Sequence, residues 1–132
     1  MSGWGVIPSL RVTDMPAALR FYTDVLGFDV ERGGPEDSNC ALRYGDGRIM
    51  LETAADHYGD EYNAAIRERL GGPSPHALYI EAEELDALHE RVTDAHAPIV
   101  DPLADRPWGQ REFTVEDPEG NWLTFWRVDG DG

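Results

Sequence analysis

Lysine is missing altogether: all eleven basic residues are Arg. Imine chemistry through a lysine amine is therefore closed to this chain. Cysteine is nearly missing as well. The single Cys40 rules out an intrachain disulfide framework and makes a reducing compartment the default. No apolar run reaches the length of a membrane span. The start, Met1-Ser2-Gly3-Trp4-Gly5, has neither a basic opening nor an apolar stretch, so no signal peptide is expected and a cytoplasmic location is. Positive charge is scarce: 11 Arg against 26 Asp and Glu leave a net charge of −15. So acidic a surface repels phosphate backbones and anionic membranes, which argues against nucleic-acid and membrane partners, and it draws cationic ligands inward.

What is present suits a single domain. The 132 residues are 41% hydrophobic and 28% charged, enough apolar mass for one core. Val6 to Val12 is a β-rich run, after which Asp14 supplies a helix N-cap and Pro16 falls where an early proline is tolerated. Ala18, Phe21, Tyr22, Val25 and Leu26 recur at helical spacing, and Gly27 is the expected stop. Phe28-Asp29-Val30 resumes an extended pattern. Cys40 to Tyr44 and Arg48 to Thr53 read as strands joined by the turn Gly45-Asp46-Gly47. Ala54 to Pro75 is a polar connector with a helix over Tyr62, Ala65, Ile66 and Arg69, closed by Gly71-Gly72-Pro73.

Then the order of elements returns. His76 to Glu81 is a strand, Leu85, Leu88, Val92 and Ala95 form a helical stripe, and Ile99-Val100 is a short strand. Glu112 to Glu116 and Asn121 to Val128 pair across Asp117-Pro118-Glu119-Gly120. The chain reads as one domain, 1–132, of two βαβββ modules at about 1–55 and about 75–128, with a connector at about 56–74. The expected fold class is α+β, a curved, mostly antiparallel mixed sheet around a cavity, because neither module alone could cover its sheet.

Asp14-Met15-Pro16 through Arg20-Phe21-Tyr22-Thr23-Asp24-Val25-Leu26-Gly27-Phe28, and the turn Asp117-Pro118-Glu119-Gly120-Asn121, carry a resemblance. They look like the first-module helix and second-module turn of the vicinal oxygen chelate superfamily, which holds glyoxalase I, extradiol dioxygenases and bleomycin resistance proteins. Ile80-Glu81 with Asp86-Ala87-Leu88-His89-Glu90 resembles the bleomycin resistance branch. So does Pro107-Trp108-Gly109 with Arg111-Glu112-Phe113 after an inserted Gln110. Enzymes of that superfamily hold a divalent metal with four strand side chains. Carried across, those positions fall on Ile7, Leu51, Pro75 (or His76 one register along) and Thr124, which make no ligand set. The resemblance therefore implies no metal and no cofactor, and leans away from an enzyme.

Elsewhere no catalytic group emerges. His89 and His96, seven apart, suit a solvated helix face, His76 a strand rim, and His57 an acidic loop beside Asp56 and Asp60. Glu83-Glu84 and Asp60-Glu61 are helix-start charges, and Cys40 is structural. Glu52, next to Leu51, is expected to point away from the bowl.

Alternation leaves aromatic walls. Trp122, Thr124 and Trp126 share one face of the last strand, with Leu123 and Phe125 on the core side. Ile7, Ser9 and Arg11 are expected to face the same bowl, as are Ala77, Tyr79 and Glu81, with Trp108 in a Pro/Gly loop at its mouth. Leu51 and Asn39 complete the expected ligand-binding set. Core or dimer-interface packing is the rival account of these aromatics. The resemblance implies a homodimer with ligand grooves between subunits, an exchanged N-terminal strand as one form of it, and Trp108 as the stacking tryptophan. Where the branch has a partner aromatic, this chain has Asn39-Cys40-Ala41. The reading is non-catalytic binding and sequestration of a small cationic or aromatic molecule, a bleomycin-type antibiotic first. The alternatives are a metal-independent isomerase or lyase using Glu81, Tyr79 or Arg11, and a scaffold protein with a filled cavity.

Overall fold

Asp14 starts the first helix as its sequence suggests. Its carboxylate accepts a hydrogen bond from the Ala17 N–H at 3.1 Å, and Pro16 sits in the first turn, where a missing N–H goes unused. This helix, α1, spans Met15–Arg20 and buries Met15, Ala18 and Leu19. Phe21–Val25 extends it as a π-helical turn, in which the Leu26 N–H donates to the Phe21 carbonyl at 3.1 Å. Gly27, at φ +86°, then turns the chain in a conformation that side chains disfavour.

The computed structural model describes residues 5–53, 59–69 and 77–128, the side chains of Ile66 and Arg69 aside. The expected His57 loop and the strand-start His76 lie outside them. Before the connector come β1 (Ser9–Arg11), β2 (Asp29–Arg32), β3 (Asn39–Tyr44) and β4 (Gly47–Glu52). After α2 (Asp60–Arg69) come β5 (Ala77–Glu81), α3 (Leu85–Asp94), β6 (Ile99–Asp105), β7 (Gln110–Glu116) and β8 (Trp122–Val128). The strand orders are β1-β4-β3-β2 and β5-β8-β7-β6, so both runs trace the same path. In each sheet the first and last strands pair parallel and the other neighbours pair antiparallel. The α+β class and the two βαβββ runs are what the sequence predicts; the strands form two four-stranded sheets where one curved sheet was expected.

One strand is longer than predicted. β6 runs from Ile99 through Pro102 to Asp105, with two register shifts against β7. An edge strand with bulges accommodates proline, because the missing N–H points away from the ladder. Val6, the start of the expected β-rich run, lies ahead of β1 and is 93% exposed. His89 is half-buried rather than solvated and meets the Phe113 ring edge-on, centroids 5.0 Å apart. His96 is exposed and closes α3 at φ +58°.

Each sheet has one apolar face, and the two faces share a core with α1 and α3. Leu10, Ile49 and Leu51 meet Val115, Leu123 and Phe125 in a single cluster, with Leu85, Leu88 and Val92 of α3 at helical spacing. Aromatic rings in edge or tilted contact run through it: Tyr22 to Phe28 (5.3 Å), Phe28 to Tyr44 (5.2 Å), Tyr44 to Phe125 (5.5 Å). Cys40 lies in this core and its thiol donates to the Gly34 carbonyl at 3.3 Å. Burial raises its pKa, as suits an inert structural thiol.

The turn before β8 locks the two modules together. Asp117, 4% exposed, accepts from the Tyr22 hydroxyl at 2.6 Å, from the Glu119 and Asn121 N–H groups at 2.9 and 2.8 Å, and from the Asn121 amide at 2.9 Å. Glu119 in turn accepts from both N–H and hydroxyl of Thr13. Burial first, and then the Asp117 charge, push the Tyr22 phenol well above its ordinary pKa. A phenol that holds its proton more tightly when folded stabilises the fold below the ordinary phenol range, and that contribution is lost as pH rises above it. Tyr22→Phe is expected to cost about 1.5–3 kcal/mol at pH 7 and to flatten the alkaline loss of stability above about pH 10. Urea denaturation across that range checks both, and an unchanged alkaline limb would exclude Tyr22 as its source.

Candidate ligand-binding faces

Because the apolar faces turn inward, each sheet presents its other face outward. On the first sheet the ladder aligns Ser9 with Met50, Arg11 with Glu52, and Asn39 with Glu52. Arg11 meets Glu52 at 2.7 Å, and the Asn39 amide donates to the other Glu52 oxygen at 2.9 Å. Arg32 donates to the Asn39 side-chain oxygen Oδ1. Arg11 also donates to the Tyr62 hydroxyl and stacks 5.7 Å from that ring's centroid, which ties α2 over the face. Arg48 pairs with Glu31 at 2.8 Å. Asn39 is thus a strand residue in a polar floor.

Leu51 is a correction. It was expected to face the bowl with Glu52 turned away; instead Leu51 is fully buried in the shared core and Glu52 stands beside Arg11 on the outer face. The reason is parity. Ile49 and Leu51 are the side chains that Leu10, Val12 and the core helices can cover, and period two then puts Met50 and Glu52 outside.

On the second sheet the outer face is aromatic and acidic. Trp122 sits between Ala77 and Glu116, Thr124 between Tyr79 and Thr114, and Trp126 between Glu81 and Glu112. Leu123 and Phe125 are fully buried behind them, as alternation predicts. Tyr79 is 65% exposed, Trp108 62% and Trp122 46%. Two indoles are held by carboxylates: Trp108 donates to Glu112 at 3.0 Å, and Trp122 to Glu116 at 3.2 Å. The Thr114 and Thr124 hydroxyls bond each other at 2.7 Å. Trp108 reaches the face from the β6–β7 hairpin, closed by the Arg106 N–H on the Gln110 carbonyl at 2.7 Å. Sequence reading singled out the tryptophans and missed both carboxylates, whose only signal was their shared parity with Trp126 and Trp122 across the ladder. Of the residues of the enzymatic alternative, Tyr79 and Glu81 hydrogen-bond to no side chain among the described residues, and Arg11 is engaged by Glu52 and Tyr62.

A crevice of about 110 Å³ between the modules, lined by Pro8, Phe28, Tyr44, Ile49, Leu78 and Ile80 among others, is apolar. Sites for drug-sized ligands run to about 300–1,000 Å³, so it does not compete with the outer faces for a flat antibiotic.

Two like βαβββ modules with packed inner faces and chemically distinct outer faces define a glyoxalase-like α+β protein. The sequence matches the Glyoxalase/Bleomycin resistance protein/Dioxygenase superfamily over residues 6–125, and the chain belongs to that superfamily. It is 30% identical over 128 residues to the bleomycin resistance protein of Geobacillus stearothermophilus, covering 92% of this chain and 94% of that one. Among solved structures it is similar to TioX from Micromonospora sp. ML1, with a TM-score of 0.74 and 28% identity, covering 92% of this chain and 94% of that one. It also resembles the bleomycin-binding protein of Streptomyces verticillus complexed with copper(II)-bleomycin, with a TM-score of 0.62, 29% identity and coverage of 96% and 95%.

Some members of this superfamily hold a divalent metal, and the described residues do not fit one. Glu52 has both oxygens engaged, one by a guanidinium whose charge opposes a cation, and Thr124 is paired with Thr114. Among the described residues no three His, Cys, Asp or Glu side chains converge. The β4 parity has a direct test. Leu51→Ala is expected to cost about 2–5 kcal/mol in urea denaturation, and Met50→Ala less than about 1.5 kcal/mol. The reverse order would place Leu51 on the outer face.

Proposed function

We propose that this chain is a non-catalytic binder that sequesters a flat, cationic or aromatic small molecule, a bleomycin-type antibiotic first, and that it works as a cytoplasmic homodimer. The observation that carries this reading is the outer face of the second sheet. Tyr79, Trp108 and Trp122 stand exposed there with Trp126 half-buried, in a setting of carboxylates. Exposed apolar surface gathered on one face marks an interaction site, and indole surfaces stack flat rings. The likeness to bleomycin resistance proteins and to a bleomycin-binding protein supports the choice of ligand class.

Unequal charge supports the dimer. On the first sheet's outer face Arg11 and Arg48 are paired with Glu52 and Glu31 and Arg32 binds Asn39, whereas Glu81, Glu112 and Glu116 on the second's form no ion pair among the described residues. A twofold arrangement that sets the first face of one copy against the second face of its partner closes two equivalent grooves. One wall is then Tyr79, Trp108, Trp122, Thr124 and Trp126, and the other Ser9, Arg11 and Asn39. Asn39 stands where a second stacking ring would close the groove, which leaves the tryptophan wall to supply most of the flat contact.

Titration with metal-free and copper-loaded bleomycin, followed by tryptophan fluorescence, tests the proposal. The expected result is saturable quenching at about one ligand per subunit, weakened at least about tenfold by Trp108→Ala or Trp122→Ala. Sedimentation velocity is expected to show a dimer. A monomer that binds neither form, or turnover of a ligand that survives chelators, would replace this reading.

A further inference from the structure

Glu112 is the feature that the described contacts leave unexplained. It is 4% exposed, and its recorded hydrogen bond is the one from the Trp108 indole to Oε1 at 3.0 Å. No Arg among the described residues forms an ion pair with it. Among the described residues its other oxygen accepts no hydrogen bond. A carboxylate this deeply buried without a cation is costly, because its charge has lost water and gained one donor. Glu52, the comparable buried carboxylate of the first sheet, has Arg11 at 2.7 Å. Among the described residues Glu112 has no such counter-charge.

The surroundings say what would supply it. Trp126 stands directly across the ladder from Glu112, and Glu81 directly across from Trp126 on the other side. Cross-strand neighbours have Cβ atoms about 4.5–5.5 Å apart, so the Trp126 ring lies between two carboxylates. The Trp108 ring, pinned through its N–H, turns its edge to Glu112 and stays 62% exposed. Two indole faces around carboxylates suit an organic cation: ring faces attract diffuse positive charge, and a carboxylate takes the N–H or closes the charge.

We infer that Glu112, with Trp108, Trp126 and Glu81, forms a seat for an organic cation, and that the ligand carries a protonated amine, guanidinium or quaternary nitrogen beside its flat ring. The inference rests on the proposed binding function and names the ligand chemistry of that same face. It separates two roles: Trp122 and Tyr79 hold flat surface of either charge state, whereas Glu112 selects for positive charge.

The test compares two probes of nearly equal shape, 1-methylquinolinium and neutral quinoline, by equilibrium dialysis at pH 7.5 against the full chain. The wild type is expected to favour the cation by about tenfold. Glu112→Gln keeps an acceptor for the Trp108 indole and removes the charge; it is expected to cut the preference below about threefold while leaving quinoline unchanged. Glu90→Gln, an exposed carboxylate on α3, removes the same net charge elsewhere and is expected to keep the wild-type ratio. Should Glu112→Gln fail to fold, Glu81→Gln on the other side of Trp126 is expected to lower the preference about threefold. A ratio unmoved by either variant overturns the seat. Bleomycin binding without any preference for the cation would sink the seat and leave sequestration standing, and no binding of bleomycin or either probe would sink both.

Discussion

Each sheet can bury only one side, and the two buried sides form a single core. That constraint decides most of what the chain presents to its surroundings. The rings from Tyr22 through Phe28, Tyr44 and Phe125 cross from one module to the other, and Asp117 ties the second module's turn back to Tyr22. With the apolar sides joined, every outward position on the strands is free to differ between modules. One sheet uses that freedom for arginines around a buried ion pair, the other for tryptophans around glutamates. A topology used twice has yielded two unlike walls.

The Arg11–Glu52 pair shows how the first wall is kept polar. Both charges are largely out of water, so removing either would strand the other, and Asn39 and Tyr62 add hydrogen bonds to the pair. Such a network holds its shape but offers no open coordination position. The second wall is built the opposite way. Its carboxylates bind indole N–H groups, which orients the rings and leaves the negative charge without an ion pair among the described residues.

The strongest sequence signals were local. Asp14, Pro16 and Gly27 bound the first helix at its ends, and Trp122-Leu123-Thr124-Phe125-Trp126 alternates too cleanly for its faces to be confused. Ile49-Met50-Leu51-Glu52 does not alternate cleanly, because Met50 is apolar on the outer side; only packing against the core fixes which residue faces in. β6 ran past its predicted end because bulges at a sheet edge leave no periodic signature. Glu112 was visible as a residue but not as a buried one, since its burial depends on where a hairpin folds Trp108. Tyr22 and Asp117, far apart in the chain, carry no spacing from which their bond could be read.

The π-helical turn at Phe21–Val25 also sets a limit on how this chain can change. It holds one residue more than an α-helical turn, and Tyr22 reaches Asp117 from within it. The wider turn takes up that extra residue, so losing Thr23 or Asp24 would leave an ordinary α-helical turn with the flanking segments still in phase, whereas losing Tyr22 would remove the hydroxyl from its acceptor. The second module's helix, α3, is regular and has no such turn. The limit is therefore on which residue is kept rather than on length: the turn can shorten by one, but Tyr22 must stay opposite Asp117.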